Sequence, residues 1–208
     1  MNRKQSNGRK SAALAAFSLL TMLTLGSVRA QAQAGNEAGH ATAPEIAATY
    51  TIERAQISNL GCNCFWLQGG AVEAAWPIYH GLSVAGTFGA AHASKIQPGV
   101  DLSELTYLAG PRYTLSLAPG YRTRIFGEAL FGAAHGFNGV FPSEAGVKSS
   151  ATSFALQTGG GIDFTVNHSF ALRLPEISYV RTSLPNNGSD TQNNLRLAVG
   201  AAYRFGRR

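Results

Sequence analysis

The stretch Asn194-Leu-Arg-Leu-Ala-Val-Gly-Ala-Ala-Tyr-Arg-Phe205 decides the fold. In an extended chain, Leu195, Leu197, Val199, Ala201, Tyr203 and Phe205 fall on one face, and Arg196, Ala198, Gly200, Ala202 and Arg204 on the other. Such strict alternation, over a length that crosses a bilayer as a tilted strand (roughly 9–11 residues), is a membrane signal. Two arginines on the minor face exclude an ordinary dry core on that side. The two aromatics ending the apolar face suit the point where a strand leaves hydrocarbon for the headgroups. A strand in lipid must have its backbone groups paired in a closed sheet. The segment reads as the closing strand of a membrane-spanning β-barrel.

The opposite end of the chain gives the address. Arg3, Lys4, Arg9 and Lys10 precede a 14-residue apolar run, Ala12 to Leu25, and then Gly-Ser-Val-Arg-Ala-Gln-Ala-Gln-Ala34. A cationic start, a short apolar stretch and small residues at Ala30, Ala32 and Ala34 make a secretory signal peptide, cleaved after one of those three alanines. A membrane anchor needs about 20 apolar residues. Residues 1–32 are assigned to the signal, 33–45 to a flexible lead-in, 46–205 to the barrel and 206–208 to a short basic tail.

Removing the signal changes what the charge means. The full chain is +6, with 17 basic and 11 acidic residues. Five of the basic residues and none of the acidic ones lie in residues 1–30, leaving twelve against eleven. With a net charge of +1 and no basic run interleaved with aromatics, the mature chain carries no nucleic-acid signature.

Eight segments follow, near 46–57, 64–76, 81–92, 104–117, 122–135, 151–165, 169–182 and 192–205. Connections near 77–80, 118–121 and 166–168 are tight, whereas 93–103, 136–150 and 183–191 read as longer loops rich in Gly, Ser, Pro, Asn and Asp. Short turns at one rim and long loops at the other are the bacterial outer-membrane pattern, with the termini in the periplasm. The period of two recurs: Leu82, Val84 and Phe88 oppose Ser83, Ala85 and Thr87, and Phe154, Leu156 and Ile162 oppose Ser153, Gln157 and Asp163. Pro175 predicts a bulge and a slip of register. The fold class is all-β, an eight-stranded antiparallel up-and-down transmembrane barrel. A soluble lipocalin-like barrel would reverse the faces.

Gly61-Cys-Asn-Cys-Phe65 with Gly69-Gly70, Ala109-Gly-Pro-Arg-Tyr113, Phe126-Gly-Glu-Ala-Leu-Phe-Gly132, Gly159-Gly-Gly-Ile-Asp163 and Gln192-Asn-Asn-Leu-Arg-Leu197 resemble the small outer-membrane barrels of the OmpA-type transmembrane class, especially the single-domain versions of acidobacteria. The resemblance spans about residues 46–205 and rests on scaffold motifs. It implies a Gram-negative outer-membrane protein of structural or surface-interaction role, monomeric, without cofactor or metal. Its implied partners are outer-membrane lipids, lipopolysaccharide and the outer-membrane assembly machinery. Gly200, Tyr203 and Phe205 match the family's C-terminal assembly signal; Ala198 departs from it, and Gly206-Arg-Arg208 extends past the usual final Phe.

The chemistry candidates are few. Glu73, Arg112, Arg124, Glu128, Asp163, Arg173, Glu176, Arg196 and Arg204 fall mostly on inward positions, where they pair across a narrow lumen as a plug or line a gated ion path. Cys62 and Cys64, in an outer loop of an exported chain, form a small strained disulfide or stay free or intermolecular thiols. Phe88-Gly-Ala-Ala-His92 recurs as Phe131-Gly-Ala-Ala-His135 and reads as an interfacial girdle with polar tips. His92-Ala-Ser94 resembles the H-x-S element of outer-membrane lipid A deacylases, with Glu104 or Asp101 as acidic orienter. Three function classes therefore compete: a structural barrel, a narrow porin-like channel and a lipid A-modifying hydrolase.

Overall fold

The computed structural model describes residues 43–56, 64–97, 100–117, 122–143, 146–186 and 190–206. The signal peptide and Cys62 lie outside them, and the side chain of Cys64 is likewise not described. Eight strands run in order: β1 (Glu45–Gln56), β2 (Cys64–Tyr79), β3 (Leu82–Gln97), β4 (Val100–Ser116), β5 (Thr123–Ser143), β6 (Gly146–Thr165), β7 (Phe170–Thr182) and β8 (Gln192–Arg204). Each pairs antiparallel with its neighbours and β8 returns to β1, closing the sheet. Closure satisfies the backbone without an edge, as a chain in hydrocarbon requires.

The faces follow the alternation read from β8. Leu195, Leu197, Val199, Tyr203 and Phe205 point outward, and Arg196, Ala198, Ala202 and Arg204 are buried within. Outside, two rings of aromatics bound an apolar band. Trp76, Tyr79, Phe164, Phe170, Tyr203 and Phe205 mark the rim carrying the termini, and Trp66, Phe88, Tyr107, Phe131, Phe154 and Tyr179 the other. Trp76 is 61% exposed and Trp66 55%, while Arg173 is 0% exposed. A soluble barrel would show the opposite polarity, so this one faces lipid.

The tight turn after β2 is a two-residue hairpin, Tyr79 pairing with Leu82 across His80 and Gly81. Both turn residues have positive φ, 38° and 87°, which suits the right-handed twist of the flanking strands. At the tight turn between β6 and β7, on the same rim, the Asn167 side chain accepts hydrogen bonds from the amides of Ser169 and Phe170.

At the other rim the sequence reading needs correction. The expected loops 93–103 and 136–150 are largely strand: β3 and β4 continue to Gln97↔Val100, and β5 and β6 to Ser143↔Gly146. Irregular pairing between Ala93 and Gln97, and between Phe137 and Phe141, lets the turn-rich sequence stay in the ladder as hairpin arms. The bulge expected at Pro175 is present. Register shifts between Arg173 and Glu176 against β8, and Leu174 and Pro175 both face out, so Arg173 and Glu176 both face in.

One seam shows why glycine is needed. Inward-facing Gly110 and Gly132 face each other's strands so closely that an added Cβ would lie 2.1 Å from the Ala129 carbonyl oxygen and 2.0 Å from that of Tyr107. Backbone cannot yield as a side chain can. Gly132→Ala is expected to lower barrel stability by about 1–3 kcal/mol, read as the urea midpoint of the refolded protein. An unchanged midpoint would show that the β4–β5 coil is not tight.

Candidate functional site: the lumen and its outer mouth

The narrow interior brings charged side chains from seven of the eight strands together. At the terminal rim, Arg204 of β8 donates from Nε to Glu45 Oε2 (2.8 Å) and from Nη2 to Asp163 Oδ2 (3.1 Å). Arg173 of β7 donates from Nε to Asp163 Oδ1 (2.9 Å), from Nη2 to Glu45 Oε1 (2.6 Å) and from Nη1 to Glu73 Oε2 (2.5 Å). Glu73 is shared with Arg112, whose Nε reaches Glu128 Oε2 at 2.8 Å. Glu128 accepts from Gln157 Nε2 at 3.0 Å, and Gln157 Oε1 accepts from Arg196 Nη1 at 3.0 Å. Arg196 Nε donates to Glu53 Oε2 (2.8 Å), and Glu53 Oε1 accepts from Asn194 Nδ2 (2.6 Å). The result is one hydrogen-bonded ladder from Arg204 to Asn194. Charge-assisted, multiply bonded guanidiniums of this kind are the strong members of their class.

The inward set named from sequence therefore lies in or beside the ladder. Arg204, Asp163, Arg173, Glu73, Arg112, Glu128 and Arg196 are rungs. Glu176 Oε2 stands 3.7 Å from Arg173 Nη1 without a hydrogen bond. Arg124 is half-buried, paired in register with Asp163 across the β5–β6 seam.

Glu45, Glu53 and Phe126 escaped the sequence reading. Glu45 and Glu53 sit on the inward face of β1 with Ala47, Thr49, Thr51 and Ala55, a period-two pattern that was there to read. Phe126 is buried between the inward Arg124 and Glu128 positions. The Arg112 and Arg173 guanidinium carbons lie 4.5 and 4.3 Å from its ring centroid. It shields the two cations and adds a cation–π contact to each. With Glu104 also inward, seven carboxyls meet five guanidiniums, so the lumen is acidic on balance rather than basic as the shorter set implied.

Glu73, Glu128 and Glu176 bring carboxylate oxygens within 4.8 Å of one another. Arg112 and Arg173 already lie against Glu73, and Arg112 against Glu128, so the cation positions of this cluster are held by guanidiniums.

His92 does sit beside Ser94. Its Nε2 is 3.1 Å from Ser94 Oγ, and its Nδ1 is 3.0 Å from Ser103 Oγ. Both ring nitrogens are thus engaged by hydroxyls. Glu104 turns to the lumen, across the sheet from the exposed His92. In a nucleophilic triad the second ring nitrogen is held by a carboxylate; here Ser103 Oγ occupies that position. His135, in the second copy of the Phe-Gly-Ala-Ala-His motif, bonds Thr152 Oγ1 at 2.7 Å and stacks on Phe137.

At the C-terminal end, Gly200 faces the interior against β1, and Tyr203 and Phe205 pack edge-to-face at 4.9 Å. The Phe205 amide donates to the Pro44 carbonyl at 2.9 Å, tying the residue after β8 to the residue before β1.

Above the ladder, at the rim away from the termini, a cavity of about 210 Å³ opens. Its walls are apolar and come from the arms and the last loop: Phe65, Leu67, Ile96, Leu102, Phe141 and Leu184. Glu104 and Asn194 line it beside them.

No family model matches the sequence, and no curated protein matches it. Among solved structures, the barrel is similar to the neisserial surface protein NspA, with a TM-score of 0.63 and 16% identity, covering 81% of this chain and 100% of that one. It is also similar to Ail, the attachment invasion locus protein of Yersinia pestis, with a TM-score of 0.52 and 19% identity over 78% of this chain and 99% of the other. The fold is that of the small OmpA-type outer-membrane barrels.

Proposed function

We propose that this chain is a non-enzymatic barrel of the bacterial outer membrane, with a structural or surface-interaction role and a lumen closed to ions. The observation that carries the reading is the unbroken ladder from Arg204 to Asn194, whose central Arg173 is wholly buried. An ion crossing the lumen must part several charge-assisted hydrogen bonds at once. Each parting leaves a desolvated charge without its partner. The apolar band with its two aromatic rings supports the membrane setting, and the long hairpin arms beyond the outer ring offer a surface to partners outside the cell. Outer-membrane lipids and lipopolysaccharide are its surroundings, the assembly machinery delivers it, and a monomer suffices because the sheet closes on itself.

A planar bilayer carrying the purified protein, its folded form selected by heat-modifiable migration on a gel, tests the closed lumen. The expected result is a flat baseline at physiological salt. Steady ohmic steps that shrink when Arg112 or Arg196 is neutralised would establish the channel instead. Lipid A altered in a manner dependent on His92 and Ser94 would establish the hydrolase.

A further inference from the structure

The floor of the outer-mouth cavity carries a buried acceptor that the protein leaves without a donor. Asn194 is 3% exposed and gives its amide nitrogen to Glu53, but its Oδ1 has no hydrogen-bond partner. Glu104, 5% exposed, lines the same floor. Arg196 acts on Glu104 only through space, because its own hydrogen bonds go to Glu53 and Gln157. The like charge of Glu53 also bears on it. Two carboxyls around one guanidinium leave an acidic floor. A buried acceptor without a donor is costly, and a buried carboxyl without a counter-ion more so.

The walls say the rest. Phe65, Leu67, Ile96, Leu102, Phe141 and Leu184 surround this floor with hydrocarbon. The nearby polar residue Gln192 is fully engaged, with Thr182 and the Leu184 backbone as its partners. The cavity therefore presents an apolar sleeve that ends at the Glu104 carboxyl and the Asn194 amide oxygen. Its volume, about 210 Å³, exceeds the roughly 150 Å³ that holds a benzene ring in a dry apolar cavity. One ring, or a short alkyl chain, fits with a small polar head.

From this arrangement we infer that the outer mouth binds small amphiphilic amines: a single ring or short alkyl body in the sleeve, with a protonated amino group at Glu104 and Asn194 Oδ1. The ammonium supplies the N–H donor that Asn194 Oδ1 lacks and a counter-charge against which Glu104 can ionise. The inference goes beyond the structural role proposed above and does not depend on whether the lumen conducts.

Calorimetric titration of the refolded barrel in lipid nanodiscs with phenethylamine tests it, with 3-phenylpropionate, of the same size and opposite charge, as the paired probe. The expected result is saturable one-site binding of the amine and none of the acid at equal concentration. Glu104→Gln, close to isosteric, is expected to weaken amine binding about tenfold or more, since a charge-assisted contact becomes a neutral one. Leu184→Trp, which fills the sleeve, is expected to abolish binding while leaving the heat-modifiable band. If Glu104→Gln fails to give that band, Leu184→Trp alone decides, because amine binding that survives a filled sleeve overturns the site. The inference also fails if no saturable binding is seen, if 3-phenylpropionate binds as well as the amine, or if folded Glu104→Gln binds the amine as tightly as the parent. Conductance measured on the same samples separates this outcome from that of the closed-lumen reading.

Discussion

Replacing Arg173 by methionine is expected to cost the barrel about 3–5 kcal/mol, the loss typical of removing one partner from a buried ion pair. The side chain is fully buried and binds Asp163, Glu45 and Glu73 at once. Methionine matches much of its volume, so the loss is one of charge rather than of packing. Three carboxylates would then face each other in a space too narrow to hydrate them. Urea unfolding of the refolded protein, followed by the fluorescence of Trp66 and Trp76, measures the effect. Adding Asp163→Asn and Glu73→Gln to Arg173→Met should recover part of the loss, because the stranded charges go with their partner. An Arg173→Met barrel as stable as the parent would mean that water, not the ladder, solvates the lumen.

Leu197→Arg and Val199→Arg are each expected to cost about 2–4 kcal/mol, the range for arginine on the lipid face near the bilayer midplane. Both lie mid-strand on the outward face of β8, and Arg196 and Ala198 lie between and beside them on the inward one. Ala198→Ser, one position away, should leave the heat-modifiable band unchanged. The contrast is the point: neighbours in sequence differ because a strand turns them to opposite solvents. Equal tolerance of arginine at 197 and serine at 198 would mean that the faces are assigned the wrong way round.

The architecture was legible wherever alternation was long and clean. β8, the middle of β3 and the middle of β6 place their residues on the faces the sequence assigned them, because in a closed sheet side-chain parity is fixed by the ladder. Parity was also enough to reveal Glu45 and Glu53, and it was simply not applied to β1. Phe126 escaped for a different reason. An aromatic in a membrane strand suggests lipid, yet its parity with Glu128 turns it inward, where two guanidiniums rest on its ring. Strand lengths were least legible. His92-Ala-Ser-Lys-Ile-Gln97 and Phe137-Asn-Gly-Val-Phe-Pro-Ser143 carry the residues of turns, but each stays in its strand, paired at both ends across an irregularity in register. The outer-mouth cavity was invisible in sequence, since it is assembled from six separated segments and depends on the donor that Asn194 Oδ1 lacks.

The partners in the end rungs of the ladder are far apart along the chain. Glu45 awaits Arg204 across 159 residues, and Glu53 awaits Arg196 and Asn194 across 143 and 141. During synthesis the first strand thus appears carrying Glu53, whose partners are made last, and Glu45, which Arg173 of β7 reaches before Arg204 does. Until β8 docks, Glu53 has neither of these partners and must stay hydrated. Arrival of the final strand neutralises it and closes the sheet in the same event. A chain cut short before Arg196 would bear the defect at its very first strand.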